Sequence, residues 1–272
     1  MPRELGPRHL FNRFGNDKLQ GALEDGRVLW KPMMPMEKCP ATPSRYYPLF
    51  LSLEGKTCLV VGGGAVGERK VGTLLKYGPA IRLVARQLSA GLEEMRTLGL
   101  IDWIAKGYEK SLLDGISLVF AATDDLDLNR AIAADAFDRG LWCNMATEPE
   151  RGSFIVPSVF ERGMISVAVS TAGGSPAVAK LLRQKLELEI GSEWDFFVRL
   201  LYELRQRVKD GGIVEKEGRE LLARVARLPI PQWLAEGRAG VALAKTVQSC
   251  GPVMTADQTR ALWENVWNLF SS

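Results

Sequence analysis

Residues 57–67 read TCLVVGGGAVG, an apolar β-branched run that leads directly into three glycines at the spacing Gly62-x-Gly64-x-x-Gly67. Residues 68–77 follow with the pattern of an amphipathic helix. A strand, this glycine turn and a helix in succession predict a dinucleotide-binding unit. In such a unit the first glycine permits a sharp turn, the second lets a pyrophosphate approach the backbone, and the third lets the helix pack closely on the strand.

The start of this helix is the predicted phosphate site, because the first N–H groups of a helix lack partners inside it and carry the positive end of its dipole. The residues assigned to cofactor binding here are Gly62, Gly64, Ala65, Val66 and Gly67. A glycine-rich turn that serves packing alone is the alternative interpretation.

Strands and helices alternate after the glycine turn. Further strands are predicted at residues 80–85, 101–104, 117–122 and 142–145, and further helices at 90–98 and 127–139. This alternation indicates an α/β fold with a doubly wound parallel sheet of the Rossmann type. Two more apolar runs, at 153–157 and 164–170, lead to a loop and a helix that extends to about residue 190. From Trp194 onward the pattern is helical.

These patterns divide the chain into four predicted parts. Residues 1–44 have no sustained period and are rich in proline and methionine toward their end, so they are predicted to form an irregular N-terminal extension. The other parts are a Rossmann domain at 45–155, a short α+β segment at 156–190, and a small helical C-terminal domain with its tail at 191–272.

The composition is that of an ordinary globular protein. A chain of 272 residues that is 46% hydrophobic can bury a full core, and its formal net charge of +3 is too small to argue for nucleic-acid binding. It has neither an apolar run of bilayer length nor a signal peptide at its start. The four cysteines form no CxxC pair, which favours a reducing compartment. They are Cys39, Cys58, Cys143 and Cys250. We therefore expect a cytoplasmic protein with no membrane or nucleic-acid partner.

The adenosine end of the cofactor is predicted to meet Ala85 and Arg86. They occupy the end of the second predicted strand, where such folds usually have an acidic residue that accepts hydrogen bonds from the ribose. A guanidinium at this point suits an adenine face or a 2′-phosphate. NAD is the expected cofactor and NADP stays open as an alternative, as does an Arg86 that is simply solvated.

The end of the fourth predicted strand is the expected nicotinamide edge. Here the small residue Ala122 is followed by Thr123 and Asp124, at the carboxyl edge where parallel sheets bind ligands. Asp124, Asp125 and Asp127 suggest a metal cluster, but acidic residues are also favoured at the start of a helix. The only histidine, His9, lies in the predicted extension, and no metal site is predicted.

Five ordered motifs resemble the precorrin-2 dehydrogenase family, which includes the N-terminal module of siroheme synthases. They are YPLFL, GGGAVGERK, AATDDLDLN, CNMATEPERGSFIVPS and VSTAGGSPAVAKLLRQKLE, and they lie between residues 46 and 209. The resemblance implies NAD-dependent oxidation of precorrin-2 to sirohydrochlorin in siroheme (porphyrin) biosynthesis, followed in some members by ferrous-ion insertion. It also implies a homodimer in which residues 156–190 form the dimerisation segment.

The resemblance implies a catalytic carboxylate three residues after Asn144, but Thr147 stands there in this sequence. Glu148 follows directly and could supply a carboxylate, although adjacent residues of an extended chain point in opposite directions. General acid–base work therefore rests on Glu148 or on water. Metal insertion needs a base for two pyrrole protons, so the substitution argues against chelation and leaves dehydrogenation as the expected activity.

Substrate contacts are implied in the later motifs. Precorrin-2 is a polycarboxylate, which guanidinium groups bind well. The residues to which the resemblance assigns substrate binding are Arg151, Ser153, Ser175 and Arg183, and those further assigned to the catalytic site are Ser170 and Thr171. Ser175 also fits the N-cap of the helix that follows, so capping alone is the alternative for this residue.

Two functions of other classes stay open from the sequence. A non-catalytic nucleotide-sensing regulatory domain would share the glycine turn, but such domains generally carry the acidic residue that is missing near Ala85 and have no need of the GSFIVPS and STAGGSP motifs. An unrelated NAD(P)-dependent reductase would share both fold and cofactor. Turnover of the tetrapyrrole distinguishes the three functions.

Overall fold

The computed structural model describes residues 46–211, 214–251 and 253–271, together with two short strands nearer the N-terminus. Contacts between Cα atoms divide the chain into two units, Met1–Thr42 and Pro43–Ser272. In the first unit β1 (Leu23–Glu24) pairs antiparallel with β2 (Arg27–Val28). The predicted extension at 1–44 otherwise lies outside the described residues, as does Cys39.

A five-stranded parallel sheet forms the first half of the second unit. Its strands are β3 (Thr57–Val61), β4 (Ala80–Val84), β5 (Asp102–Ala105), β6 (Leu118–Ala121) and β7 (Trp142–Met145). Their order across the sheet is β5-β4-β3-β6-β7. The order reverses at β3, between β4 and β6, and such a switch point opens a ligand crevice at the carboxyl edge. The prediction of a Rossmann-type sheet is confirmed.

Helices cover both faces of this sheet. They are α1 (Ala65–Leu74), α2 (Ala90–Thr97) and α3 (Leu126–Asp138). The strands are buried on both sides: Val60 and Phe120 belong to one apolar cluster, and Leu59 and Ile132 belong to the other. The helix predicted at residues 68–77 begins three residues earlier, because the backbone enters the helix directly from Gly64.

A hairpin and one helix follow the sheet. The hairpin strands β8 (Ser158–Arg162) and β9 (Ile165–Val169) pair antiparallel, and α4 (Pro176–Glu189) packs against them. Of the two predicted apolar runs, the second forms β9. The first lies beside β7, where the Ser153 N–H donates to the Cys143 carbonyl (2.8 Å).

The C-terminal part is helical, as predicted. It contains α5 (Ser192–Asp210), α6 (Glu215–Ala226), α7 (Ile230–Ala235), α8 (Ala239–Cys250) and α9 (Ala256–Ser271). Phe196 is fully buried at the centre of their core, with edge-to-face contacts to the rings of Trp263, Trp267 and Phe270. No helix within the described ranges is long and apolar enough to cross a bilayer.

Candidate active site

The glycine turn brings β3, β6 and α1 closer together than side chains would allow. Gly62 has φ +131°, and a Cβ on it would lie 2.3 Å from the Ala122 carbonyl oxygen. A Cβ on Gly67 would lie 2.0 Å from the Gly62 carbonyl oxygen. Both glycines are therefore required by packing, since real Cβ atoms do not approach other atoms so closely.

Gly64 differs from the other glycines of the turn, because a Cβ added to it would have no atom within 4 Å. It is the N-cap of α1, no side chain caps that helix, and Ala65 and Val66 are exposed beside it. The first N–H groups of α1 thus face open space and carry the positive end of the helix dipole. This cradle fits a pyrophosphate. The Gly62 N–H takes no part, because it donates to the Val84 carbonyl (2.9 Å).

Gly63 is a structural requirement that the spacing rule did not single out. A Cβ on this residue would lie 2.0 Å from the Gln87 carbonyl oxygen and 2.7 Å from Ala85 Cβ. The Gly63 carbonyl also accepts from the Ser89 N–H (2.9 Å). The glycine turn is therefore joined to the β4–α2 loop, which borders the predicted adenosine site.

The β4–α2 loop presents charges of both signs. Ala85 is buried, whereas Arg86 is exposed and has no hydrogen bond or ion pair with any residue in the described part of the chain. Ser89, the N-cap of α2, donates its hydroxyl proton to the Glu68 carboxylate (2.5 Å). A carboxylate thus reaches this loop from α1, although β4 itself ends without one.

Asn129 organises the carboxyl end of β6. Its side chain is fully buried, and its Oδ1 accepts from the N–H (3.1 Å) and the hydroxyl (2.7 Å) of Thr123. Its Nδ2 donates to the Thr123 carbonyl (3.0 Å) and lies 3.5 Å from Thr147 Oγ1. Thr123 is therefore fixed, and the ends of β6 and β7 are tied together. The hydroxyl that replaces the expected carboxylate lies at this junction.

The acidic residues of the AATDD motif act mainly at the start of α3. Asp125 is the N-cap and accepts from the Leu128 N–H (3.0 Å), and Asp127 in the first turn pairs with Arg130 (3.2 Å). Asp124 is exposed at the same edge. No group of three metal-ligating side chains occurs in the part of the chain that the structure describes.

Glu148 forms a bidentate ion pair that its position in the sequence did not reveal. Arg130 Nε donates to Oε2 (2.8 Å) and Arg130 Nη2 donates to Oε1 (2.9 Å), while Arg151 Nε lies 3.5 Å from Oε1. The hydrogen bonds from Arg130 lower the pKa of Glu148 and raise that of Arg130. A carboxylate held in this way is a weaker proton acceptor than a free one.

Asn144 and Ser153 are engaged in holding strand β7. Asn144 is buried and donates from Nδ2 to the Phe154 carbonyl (3.0 Å), while its Oδ1 has no hydrogen-bond partner among the described residues. The Ser153 hydroxyl accepts from the Cys143 N–H (2.7 Å). Both predicted site residues therefore have clear structural roles at the edge of the sheet.

The predicted residues beyond β9 form a second group. Thr171 Oγ1 accepts from the Ser175 N–H (3.0 Å), Ser175 caps α4 by accepting from the Val178 N–H (3.3 Å), and Ser170 Oγ accepts from the Ala172 N–H (3.1 Å). Arg183 pairs with Glu187 one turn along α4. Within the described ranges, no hydrogen bond or ion pair connects these four predicted residues to the carboxyl edge of the sheet.

Comparison with known proteins agrees with this arrangement. Residues 49–158 match a family described as "Putative NAD(P)-binding". The siroheme synthase of Methylococcus capsulatus (strain Bath) is 35% identical over 221 residues, which are 81% of this chain and 46% of that protein. Siroheme synthase 1 of Serratia proteamaculans is 43% identical over 142 residues, 52% of this chain and 30% of that protein. The solved structure of "SirC, precorrin-2 dehydrogenase" aligns with a TM-score of 0.62 at 27% identity, covering 74% of this chain and 98% of that one.

This chain belongs to the precorrin-2 dehydrogenase and siroheme synthase family. It spans less than half the length of the two siroheme synthases named above. The family match over residues 49–158 and the fold support a nicotinamide dinucleotide as its cofactor.

Three residues that the structure brings to the candidate site were not singled out from the sequence: Gly63, Asn129 and Arg130. Gly63 had a signal, since it is the middle residue of an uninterrupted GGG. Asn129 also had a signal in the sequence, because a polar residue on the inward face of α3 must find hydrogen-bond partners when it is buried. Arg130 had no such signal, because its partner Glu148 is 18 residues away and lies outside α3.

Proposed function

We propose that this chain oxidises precorrin-2 to sirohydrochlorin with NAD as hydride acceptor, in the biosynthesis of siroheme. The observation that carries the proposal is the open cradle at Gly64, beside the carboxyl edge at Thr123, in a chain whose fold aligns with nearly the whole of a precorrin-2 dehydrogenase. The overall reaction removes one hydride and one proton from the macrocycle and extends its conjugation. The bound dinucleotide supplies the hydride acceptor.

The residues of this chain contribute binding and orientation. The N–H groups at the start of α1 hold the pyrophosphate, and Asn129 fixes Thr123 where the nicotinamide end must lie. Arg151 is 59% exposed at the same edge of the sheet and suits a substrate carboxylate. The proton leaves to water in this proposal, because Thr147 is a hydroxyl and Glu148 is paired with Arg130.

Metal insertion is not part of the proposed activity. Chelation of sirohydrochlorin releases two pyrrole protons, which a base must accept. Thr147 cannot accept them near neutral pH, and the ion pair with Arg130 lowers the pKa of Glu148. A separate chelatase is then the consumer of the product.

We include a homodimer in the proposal because α4 exposes its apolar face. Four apolar side chains of this helix are between 45% and 86% exposed, whereas Ala179 is its buried residue. The four are Val178, Leu181, Leu182 and Leu188. A helix of a monomer normally turns its apolar face inward. A second copy that covers this face could also bring Ser170, Thr171, Ser175 and Arg183 to the carboxyl edge of its partner.

NAD rather than NADP is proposed because the Glu68 carboxylate lies against Ser89 in the β4–α2 loop and would repel a 2′-phosphate. Arg86 is the group that would favour NADP. The values of kcat/KM for both cofactors, measured with the wild type and with Glu68→Gln, test this choice. A wild-type preference for NADP would overturn it.

We also propose a cytoplasmic location, because the buried free thiols of Cys58, Cys143 and Cys250 suit a reducing compartment.

The test of the function is anaerobic incubation of the full chain with precorrin-2 and NAD, while NADH and sirohydrochlorin absorbance are recorded. Formation of both in equal amounts is expected, with no acceleration of ferrous or cobaltous ion insertion over the uncatalysed rate. Nucleotide binding without turnover would instead indicate a sensor. Oxidation of other substrates but not of the tetrapyrrole would indicate an unrelated reductase.

A further inference from the structure

We propose that Arg130 and Arg151, held by Glu148, form a paired guanidinium site for a carboxylate of the tetrapyrrole, and that Glu148 is a positioning residue for this site. The inference rests on the proposed function, since it names residues that bind the proposed substrate. It gives Arg130 a role that no motif assigned to it. It also replaces the expectation that Glu148 acts as a general base.

The geometry of the pair favours a positioning role. Both oxygens of Glu148 receive hydrogen bonds from Arg130, and the Glu148 side chain is 19% exposed. The two arginine side chains are more accessible, with 42% exposure at Arg130 and 59% at Arg151. The carboxylate is therefore less accessible than the two guanidinium groups that contact it.

The two guanidinium groups keep donors for a ligand. A guanidinium has five N–H donors. Arg130 donates two of these N–H groups to Glu148 and one to the exposed carboxylate of Asp127. Two N–H donors of Arg130 therefore remain. Arg151 lies 3.5 Å from Glu148 in an ion pair and has no hydrogen bond to any side chain in the described residues. The pair can therefore donate several hydrogen bonds to an incoming carboxylate.

The charges explain why Glu148 is needed between the arginines. Two guanidinium groups that approach one ligand repel each other, and a carboxylate between them offsets that repulsion. Planar bidentate pairing also fixes the orientation of Arg130, which a single charge contact would not do. Asp127 is 93% exposed, so its contact with Arg130 is weak and a substrate carboxylate can replace it.

The site lies where the substrate must approach. Arg130 follows Asn129, which reaches the end of β6 at Thr123 and the Thr147 hydroxyl beyond β7. Glu148 directly follows Thr147. The arginines therefore border the carboxyl edge at which the nicotinamide is proposed to lie. Anchoring one peripheral carboxylate there would orient the ring without any group taking a proton.

The test compares steady-state kinetics of Glu148→Gln, Arg130→Gln and Arg130→Lys with those of the wild type, at several pH values. For Glu148→Gln we expect KM for precorrin-2 to rise about tenfold, with kcat within about twofold and an unchanged pH profile of kcat. Arg130→Gln should raise this KM at least as much. Arg130→Lys should recover only part of the loss, because an ammonium cannot pair in a bidentate manner. KM for NAD should stay constant in all three.

The matched control is Arg139→Gln. Arg139 lies at the opposite end of α3, where it forms an exposed ion pair with Asp114. The Arg139→Gln variant should have unchanged KM values for both precorrin-2 and NAD. Melting temperatures of all variants show whether they are folded.

Two results would overturn the inference. One is a fall of kcat by tenfold or more in Glu148→Gln with loss of the acidic limb of its pH profile, since that is the behaviour of a general base. The other is an unchanged KM for precorrin-2 in Arg130→Gln. A wild-type chain that does not oxidise precorrin-2 would instead reject the proposed function itself.

Discussion

The hydroxyl and the N–H of Thr123 both donate to the same atom, Oδ1 of the fully buried Asn129. The Asn129 amide returns a hydrogen bond to the Thr123 carbonyl. One side chain thus satisfies the polar groups of a residue that leaves the sheet at its ligand-binding edge. These hydrogen bonds hold the start of the loop after β6 in one position, and a fixed edge is what orienting a nicotinamide requires.

Replacing Asn129 by alanine should lower the free energy of unfolding by roughly 2 kcal/mol or more. The reason is that the partly buried N–H and carbonyl of Thr123 would lose their hydrogen bonds to Asn129, whose own side chain is fully buried. Denaturant unfolding measures the change. Thr147→Val is the control, because it removes only the 3.5 Å contact and should cost less than about 1 kcal/mol. Equal losses in the two variants would contradict this account.

Alanine at Gly64 should weaken cofactor binding without unfolding the protein. The new methyl group would enter open space at the start of α1, where the pyrophosphate is proposed to bind. We expect a rise in the dissociation constant for NADH of about tenfold or more, measured by fluorescence titration. Alanine at Gly63 should instead destabilise the fold by about 1–3 kcal/mol, because its Cβ would overlap the Gln87 carbonyl. Unchanged NADH binding in Gly64→Ala would place the phosphates elsewhere.

An aspartate at Thr147 should introduce the metal insertion that the wild type is proposed to lack. Its carboxylate would stand beside the Asn129 amide at the carboxyl edge and could accept pyrrole protons. We expect cobalt insertion into sirohydrochlorin to become at least tenfold faster, followed by absorbance. Thr147→Asn has nearly the same shape and no base, so it should remain at the uncatalysed rate. Rapid insertion by the wild type would show that another group serves as base.

Glutamate at Leu181 should separate the proposed dimer into monomers. Leu181 is 64% exposed on the apolar face of α4, and a charge there cannot be buried by a second copy at low cost. Light scattering coupled to gel filtration measures the mass. Phe137→Glu is the control, because Phe137 is 80% exposed on α3 and outside this face. A monomeric wild type would reject the dimer.

The buried thiols should be almost inert toward disulfide reagents while the protein is folded. Burial raises the pKa of both Cys58 and Cys143 to about 11, and that of Cys250 is also raised. At pH 8 about one thiol in a thousand would be ionised at Cys58 and Cys143, and the thiolate is the reactive form. In a Cys39→Ser variant, the three thiols should react only after denaturant is added. Rapid reaction without denaturant would show that these strands open readily.

Local pattern was sufficient for the Rossmann domain. The apolar run of β3, the glycine spacing and the alternation that follows are properties of neighbouring residues, and they led to the correct sheet and cofactor class. Boundaries were less accurate: α1 begins at Ala65 rather than at residue 68, and β5 begins at Asp102 rather than 101. Periodicity reports which side chains are buried, whereas the start of a helix depends on the backbone, and glycine gives no periodic signal.

Three decisions belonged to the tertiary structure, because each depends on residues far apart in the sequence. The sequence offered Glu148 as a candidate base, and only the position of α3 showed that Arg130 lies within 2.8 Å of its carboxylate. The pattern of α3 indicated that Asn129 needs polar partners, but only the structure identified them at the ends of β6 and β7. The helical pattern of α4 was plain in the sequence, but only its packing on the hairpin decided that its leucines stay exposed. Sequence alone determined the fold and the cofactor class, because local backbone preferences and burial patterns suffice for them, whereas long-range contacts decided what each charged group can do.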